Sequence, residues 1–128
     1  MKRITVLLAG MIVLNVSCVT NAITGRSQLS LVSDAELQAM ALTQYKEFLT
    51  ANKAVPAGNR DADMVKRVGN RVAVALKDYY TQKALPNALD GYGWEFNLVD
   101  SKEVNAWCMP GGKVVCYTGL LPVTQNET

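Results

Sequence analysis

Asn105-Ala106-Trp107-Cys108-Met109-Pro110-Gly111-Gly112-Lys113-Val114-Val115-Cys116-Tyr117-Thr118-Gly119-Leu120 is the stretch that decides the fold. It reads as strand, tight turn, strand and the approach to a helix. Pro110 lacks an N–H and fixes φ, while Gly111 and Gly112 can take positive φ at little cost. Val114 to Tyr117 suit a pleated, half-buried surface. Just upstream, Trp94-Glu95-Phe96-Asn97-Leu98-Val99-Asp100 alternates apolar and polar residues with period two as far as Leu98. Three short strands joined by short links predict an antiparallel meander.

Working outward, Ser33-Asp34-Ala35-Glu36 fits a capping box and opens a helix. Its stripe is Leu37, Met40, Ala41, Tyr45, Phe48 and Leu49, spaced by three and four. Pro56 and Gly58 punctuate the break that follows. A second helix is predicted over residues 60–80, with Asp61 and Asp63 favouring its dipole. Val65, Val68, Val72, Leu76 and Tyr79 form its stripe, and Gly69 and Ala73 leave room for a close neighbour. Gly69 costs about 1 kcal/mol relative to Ala inside a helix, so a close contact is expected there. Tyr79 and Tyr80 read as core and boundary residues in preference to a ligand-stacking pair. Residues 81–93, with Pro86, Gly91 and Gly93, form a loop long enough to be a lid or rim. The fold class is therefore α+β, two helices on a small antiparallel three-stranded sheet.

The remaining segments concern targeting and charge. Lys2 and Arg3 precede a mostly apolar run over residues 4–16, shorter than the ~20 residues of a spanning helix and flanked like a signal peptide. Residues 1–17 are read as that signal, 18–32 as an extended leader with little periodicity, and 33–128 as the main domain. The signal holds two of the 13 basic residues and none of the 11 acidic ones, so the formal +2 belongs to it. The balanced remainder gives no clustered basic face, which sets nucleic-acid binding aside. Cys18 after Ser17 resembles a lipoprotein processing site, at which acyl chains would anchor the protein. Asn15 stands where that pattern has Leu; cleavage near Ala22 in an ordinary secreted protein is the alternative. Cys108 and Cys116 flank the turn; two small buried hydrophobes is the preferred reading, and a disulfide is open if the register sets them opposite.

Asn105-Ala106-Trp107, Pro110-Gly111-Gly112, the apolar strand and Gly119-Leu120-Leu121 together resemble a known family. They look like the region before the active-site helix of zinc metallopeptidases of the HtpX and CAAX prenyl protease family, in its periplasmic lipoprotein-like bacterial members. Thr24-Gly25-Arg26-Ser27-Gln28-Leu29 with Leu31-Val32-Ser33 resembles those members near the mature N-terminus, so the likeness covers nearly all of the chain after the signal. It implies a partial zincin-like domain, zinc as cofactor, a polypeptide substrate and a place on the periplasmic side of a bacterial envelope. It also implies that residues 104–107 are the strand to which substrate adds, with the Asn105 amide and the Ala106 main chain holding it. Trp107, pointing the other way, is expected to pack.

The departure from the family is equally plain. Its next helix carries His-Glu-x-x-His, two zinc ligands and a general base, whereas this chain contains no histidine. Gln125-Asn126-Glu127-Thr128 stands where that helix is expected to begin, with Glu127 in its acidic first turn. No nucleophile–base pair is available, and Glu95, Asp100 and Glu103 read as solvated carboxylates without a partnering base. The expectation is the N-terminal part of a zinc metalloendopeptidase, itself without metal and inactive. The rival is a complete non-catalytic lipoprotein module that binds peptide or a partner at a free strand edge.

Overall fold

The computed structural model describes residues 18–21, 24–29 and 31–125, in two compact units divided between Val32 and Ser33. The signal segment, Glu127 and the other residues after Gln125 lie outside the described residues. In the first unit β1 (Cys18–Thr20) and β2 (Ser27–Leu29) pair antiparallel. The extended leader thus includes a small hairpin. Asn21 and Gly25 build its turn: the Asn21 side-chain oxygen accepts from the Thr24 N–H at 2.9 Å, and Gly25 takes φ +67.

The second unit begins with α1 (Asp34–Ala51). The predicted capping box is present: Ser33 Oγ accepts from the Glu36 N–H at 3.3 Å, and Glu36 Oε2 accepts from the Ser33 N–H at 3.0 Å. Asn52 closes the helix, its main-chain and side-chain N–H groups both donating to the Phe48 carbonyl. α2 (Arg60–Gln82) is capped by Asn59, whose side chain accepts from the Asp61 and Ala62 N–H groups.

The sheet consists of β3 (Glu95–Val99), β4 (Ala106–Met109) and β5 (Lys113–Tyr117) in the order β3-β5-β4. The β4–β5 hairpin turns through Pro110, Gly111 and Gly112 as expected, both glycines having positive φ. The meander is corrected: β3 pairs with β5, in parallel, so the sheet is mixed. Residues 100–105 carry the chain past the end of β5, a step of roughly 10 Å that six residues span easily. Thr118 and Gly119 hold this link down. Ser101 N–H donates to Thr118 Oγ1 at 3.1 Å, and Gly119 N–H donates to the Ser101 carbonyl at 2.8 Å. A Cβ on Gly119 would collide with the Lys102 and Glu103 carbonyls, so only glycine lets the link cross so closely.

The helices cover opposite faces of the sheet. On one, Tyr45 of α1 meets Val99 and Val115, with Phe48, Leu49, Trp107, Met109 and Tyr117 packed around them. On the other, α2 lies over Phe96, and Gly69 supplies the close contact its composition required: a Cβ there would penetrate the Phe96 ring. The α1 stripe is met by Ala41, Tyr45, Phe48 and Leu49, whereas the α2 stripe is rotated from the observed one. Leu37 and Met40 are exposed at the start of α1, and Val72 on α2 is 61% exposed while Ala62 and Ala73 are buried. The thin contact of α2 with a three-stranded sheet selects its smallest residues.

The sheet's two edges differ. Lys53–Val55 closes the outer side of β3 through Val55 N–H to the Leu98 carbonyl at 2.8 Å and Asp100 N–H to the Lys53 carbonyl at 3.0 Å. β4, at the other edge, pairs with β5 alone among the described residues. Beyond β5 the chain makes a 3₁₀ turn at Thr118–Leu120 and one helical turn, α3 (Leu121–Thr124). Helical structure thus begins before the position expected from Gln125, which itself has φ 60.

Candidate substrate-binding edge

Trp107 fixes β4 to the body of the molecule. Its indole stands edge-on to Phe48 at 4.8 Å and to Tyr45 at 6.3 Å, and its N–H donates to the Tyr117 hydroxyl at 3.3 Å. Tyr45 is held in turn by Asn97, whose amide donates to the phenol oxygen at 2.7 Å. Burial raises the Tyr45 phenol pKa, partly opposed by that bond. Trp107 is a packing residue, as the alternation of the strand implied.

The expected strand over 104–107 begins only at Ala106, so Asn105 is the last residue of the link and Ala106 the first of β4; both are exposed. The Asn105 carbonyl accepts from the Tyr117 N–H at 3.1 Å, which makes this a hydrogen-bonded pair of the antiparallel ladder. Strict alternation then turns the N–H and C=O groups of Ala106 and Cys108 away from β5, toward the open side. An extended polypeptide laid there meets two residues' worth of aligned donors and acceptors.

The cysteines are not opposite each other. Cys108 faces Val114 and Cys116 faces Ala106 across the ladder, so the two thiols sit diagonally on one face and both are free. Cys108 is exposed, which corrects its reading as a buried hydrophobe; the S–H donates to the Met109 carbonyl at 3.5 Å. Desolvation pushes both thiols above their usual range. Neither has the depressed pKa of a nucleophile.

Glu95 is exposed, as expected, but it is not without a partner: its carboxylate meets the Lys113 ammonium at 2.6 Å across the parallel pair. Lys113 is buried and also donates to the Gly93 carbonyl. The pair joins the entry of β3 to the entry of β5. The signal for it in the sequence was Lys113 itself, a charge at an inward position of the most apolar strand. Asp100 and Glu103 are exposed, as expected.

These residues do not fit a catalytic zinc. The sequence has no histidine, and among the described residues no three His, Cys, Asp or Glu side chains cluster to hold a metal ion. Cys18 is the first residue of β1; nothing of its side chain is described. Among the described residues, no helix is long and apolar enough to cross a membrane.

Known proteins supply the remaining context. The chain is 27% identical over 101 residues, 77% of its length, to "Metalloendopeptidase OMA1, mitochondrial" of Bos taurus. The similarity is to metalloendopeptidases. Over 58 residues it is 36% identical to "Mitochondrial metalloendopeptidase OMA1" of Saccharomyces cerevisiae, and over 38 residues 47% identical to the protein of the same name in Arabidopsis thaliana. Those stretches are 44% and 30% of this chain. The chain spans only 18%, 16% and 8% of the bovine, yeast and plant proteins. No family model matches. The likeness supports a zinc metallopeptidase relationship for a portion of the chain.

Proposed function

We propose that this chain is the N-terminal, substrate-side part of a bacterial envelope zinc metalloendopeptidase of the HtpX and CAAX prenyl protease group. The observation that carries this reading is the open outer side of β4, within the segment that resembles the family. An extended polypeptide adding to that edge would bond the main chain of Ala106 and Cys108, with the Asn105 amide beside it. The role of these residues is to bind and align; zinc and the residues that hold it belong to parts of the enzyme outside these 128 residues. Cys18, once acylated, would tether the protein to a membrane on the periplasmic side.

The test is to express the full reading frame containing this chain and measure zinc content and cleavage of an unfolded polypeptide such as casein. Stoichiometric zinc and chelator-sensitive cleavage are expected, with Cys18→Ser moving the protein from the membrane to the soluble fraction. A folded product with neither zinc nor cleavage sinks the reading. Peptide binding without either would favour the second reading, a non-catalytic lipoprotein module using the same edge, to which the lack of histidine already lends support.

A further inference from the structure

A cleft of about 860 Å³ opens at the turn end of β4. Cys108 and Met109 of the edge strand form part of its wall, so a chain lying along the edge runs out over it. The first turns of α1, with Asp34 and Leu37, and the loop carrying Asp90 and Tyr92 also line it. Gln38 lines it too: its side-chain N–H donates to the Asp90 carbonyl at 3.4 Å and its side chain fills the space over Gly91 and Gly111. Side chains larger than hydrogen cannot replace either glycine cheaply, because both have positive φ.

The chemistry of the walls is one-sided. Among the described residues, Asp34 and Asp90 are the only formally charged ones lining the cleft, and both are acidic. The nearby cation, Lys113, is committed to Glu95 and the Gly93 carbonyl. Leu37, Met109 and the Tyr92 ring add apolar and aromatic surface, and Tyr92 is steadied by Trp94 at 5.2 Å between ring centroids. Carboxylates beside an aliphatic wall and an aromatic face match one kind of side chain, a cation on a long methylene stem. The geometry points to this cleft as a specificity subsite that takes a lysine or arginine side chain of a polypeptide bound along β4. The inference rests on the edge of β4 being the substrate strand, and it adds the class of substrate that strand selects. A carboxylate-bearing side chain is disfavoured there by Asp34 and Asp90.

The test uses the purified chain and fluorescent ten-residue peptides of Val, Thr and Ser in which a single Lys, norleucine or Glu is walked through each position. At one position, Lys is expected to bind about three- to tenfold more tightly than norleucine, Glu more weakly than either, with the difference shrinking in high salt. D34N/D90N is expected to bind Lys and norleucine peptides alike. Ala88→Lys, an exposed change that places a cation on the rim, is expected to remove the Lys preference and improve the Glu peptide. Equal binding of Lys and norleucine at every position, or a Lys preference that survives D34N/D90N and Ala88→Lys, overturns the subsite and leaves the edge intact. Failure of every peptide to bind overturns the edge as substrate strand, and the subsite with it.

Discussion

At the scale of single residues, Gly69 and Phe96 make the sharpest demand. Alanine is the better helix former by about 1 kcal/mol, yet a methyl at residue 69 would occupy the Phe96 ring. Overpacking of this kind costs about 1–3 kcal/mol. Gly69→Ala is therefore expected to lower stability in urea, and Phe96→Leu is expected to recover part of that loss when combined with it. Additive effects in the double-mutant cycle would show that the two do not touch. Glu36 gives a pH-dependent counterpart. Its hydrogen bonds with the Ser33 backbone and side chain lower its pKa from 4.5. A lowered folded-state pKa contributes stability above the ordinary value and loses it as pH falls through the lowered one. The helix-start contribution should thus fade only below about pH 4.5. Glu36→Gln should flatten that part of the pH–stability curve measured by circular dichroism. A curve unchanged by the substitution would count against the capping box as its source.

At the scale of elements, the sequence was most informative where chemistry is local. Ser33 and Glu36, Pro110-Gly111-Gly112 and the alternation from Trp94 to Leu98 each name their own structure. The order of strands was not local information. Period-two alternation says which face a residue meets but not which strand lies beside it, and the parallel pairing of β3 with β5 depends on Gly119 permitting residues 100–105 to cross. The Lys113–Glu95 pair was hidden for the same reason, since it forms only across that pairing. Asn105 and Ala106 are exposed, just before and at the start of the outer strand, and a substitution there tests the substrate contact that the family resemblance implies. Proline suits that experiment because the Ala106 N–H faces away from β5, so its loss removes no bond of the ladder. Ala106→Pro is expected to weaken peptide binding about tenfold, the equivalent of one hydrogen bond of about 1.4 kcal/mol, with little change in melting temperature. Trp107→Pro, which removes a ladder bond, should unfold the edge outright. Equal peptide affinity in Ala106→Pro and the unaltered protein would remove β4 from the substrate path.

At the scale of the second unit as a whole, the distribution of apolar surface is uneven. The α1 face of the sheet is closed by Tyr45, Phe48 and Trp107, whereas on the α2 face the helix lies over β3 and leaves Ala106 and Cys108 exposed. The outward side of α2 adds Val72 and Val74, each 61% exposed. Scattered apolar residues need no explanation, but Val68, Val72, Val74 and Ala75 line one shallow groove of about 640 Å³ together with Asn70 and Arg71. The apolar part of that surface favours association in water at about 25 cal/mol per Å² removed. The purified chain is therefore expected to self-associate at tens of micromolar, more strongly in sulfate, which strengthens apolar burial. Val72→Glu should suppress the association seen by analytical ultracentrifugation while leaving the unfolding midpoint within about 0.5 kcal/mol of the starting protein, because the residue contributes little to the core. Association that persists unchanged in Val72→Glu would place the contact elsewhere, and the free edge of β4 would then be the next surface to alter, with Ala106→Pro separating strand pairing from apolar packing.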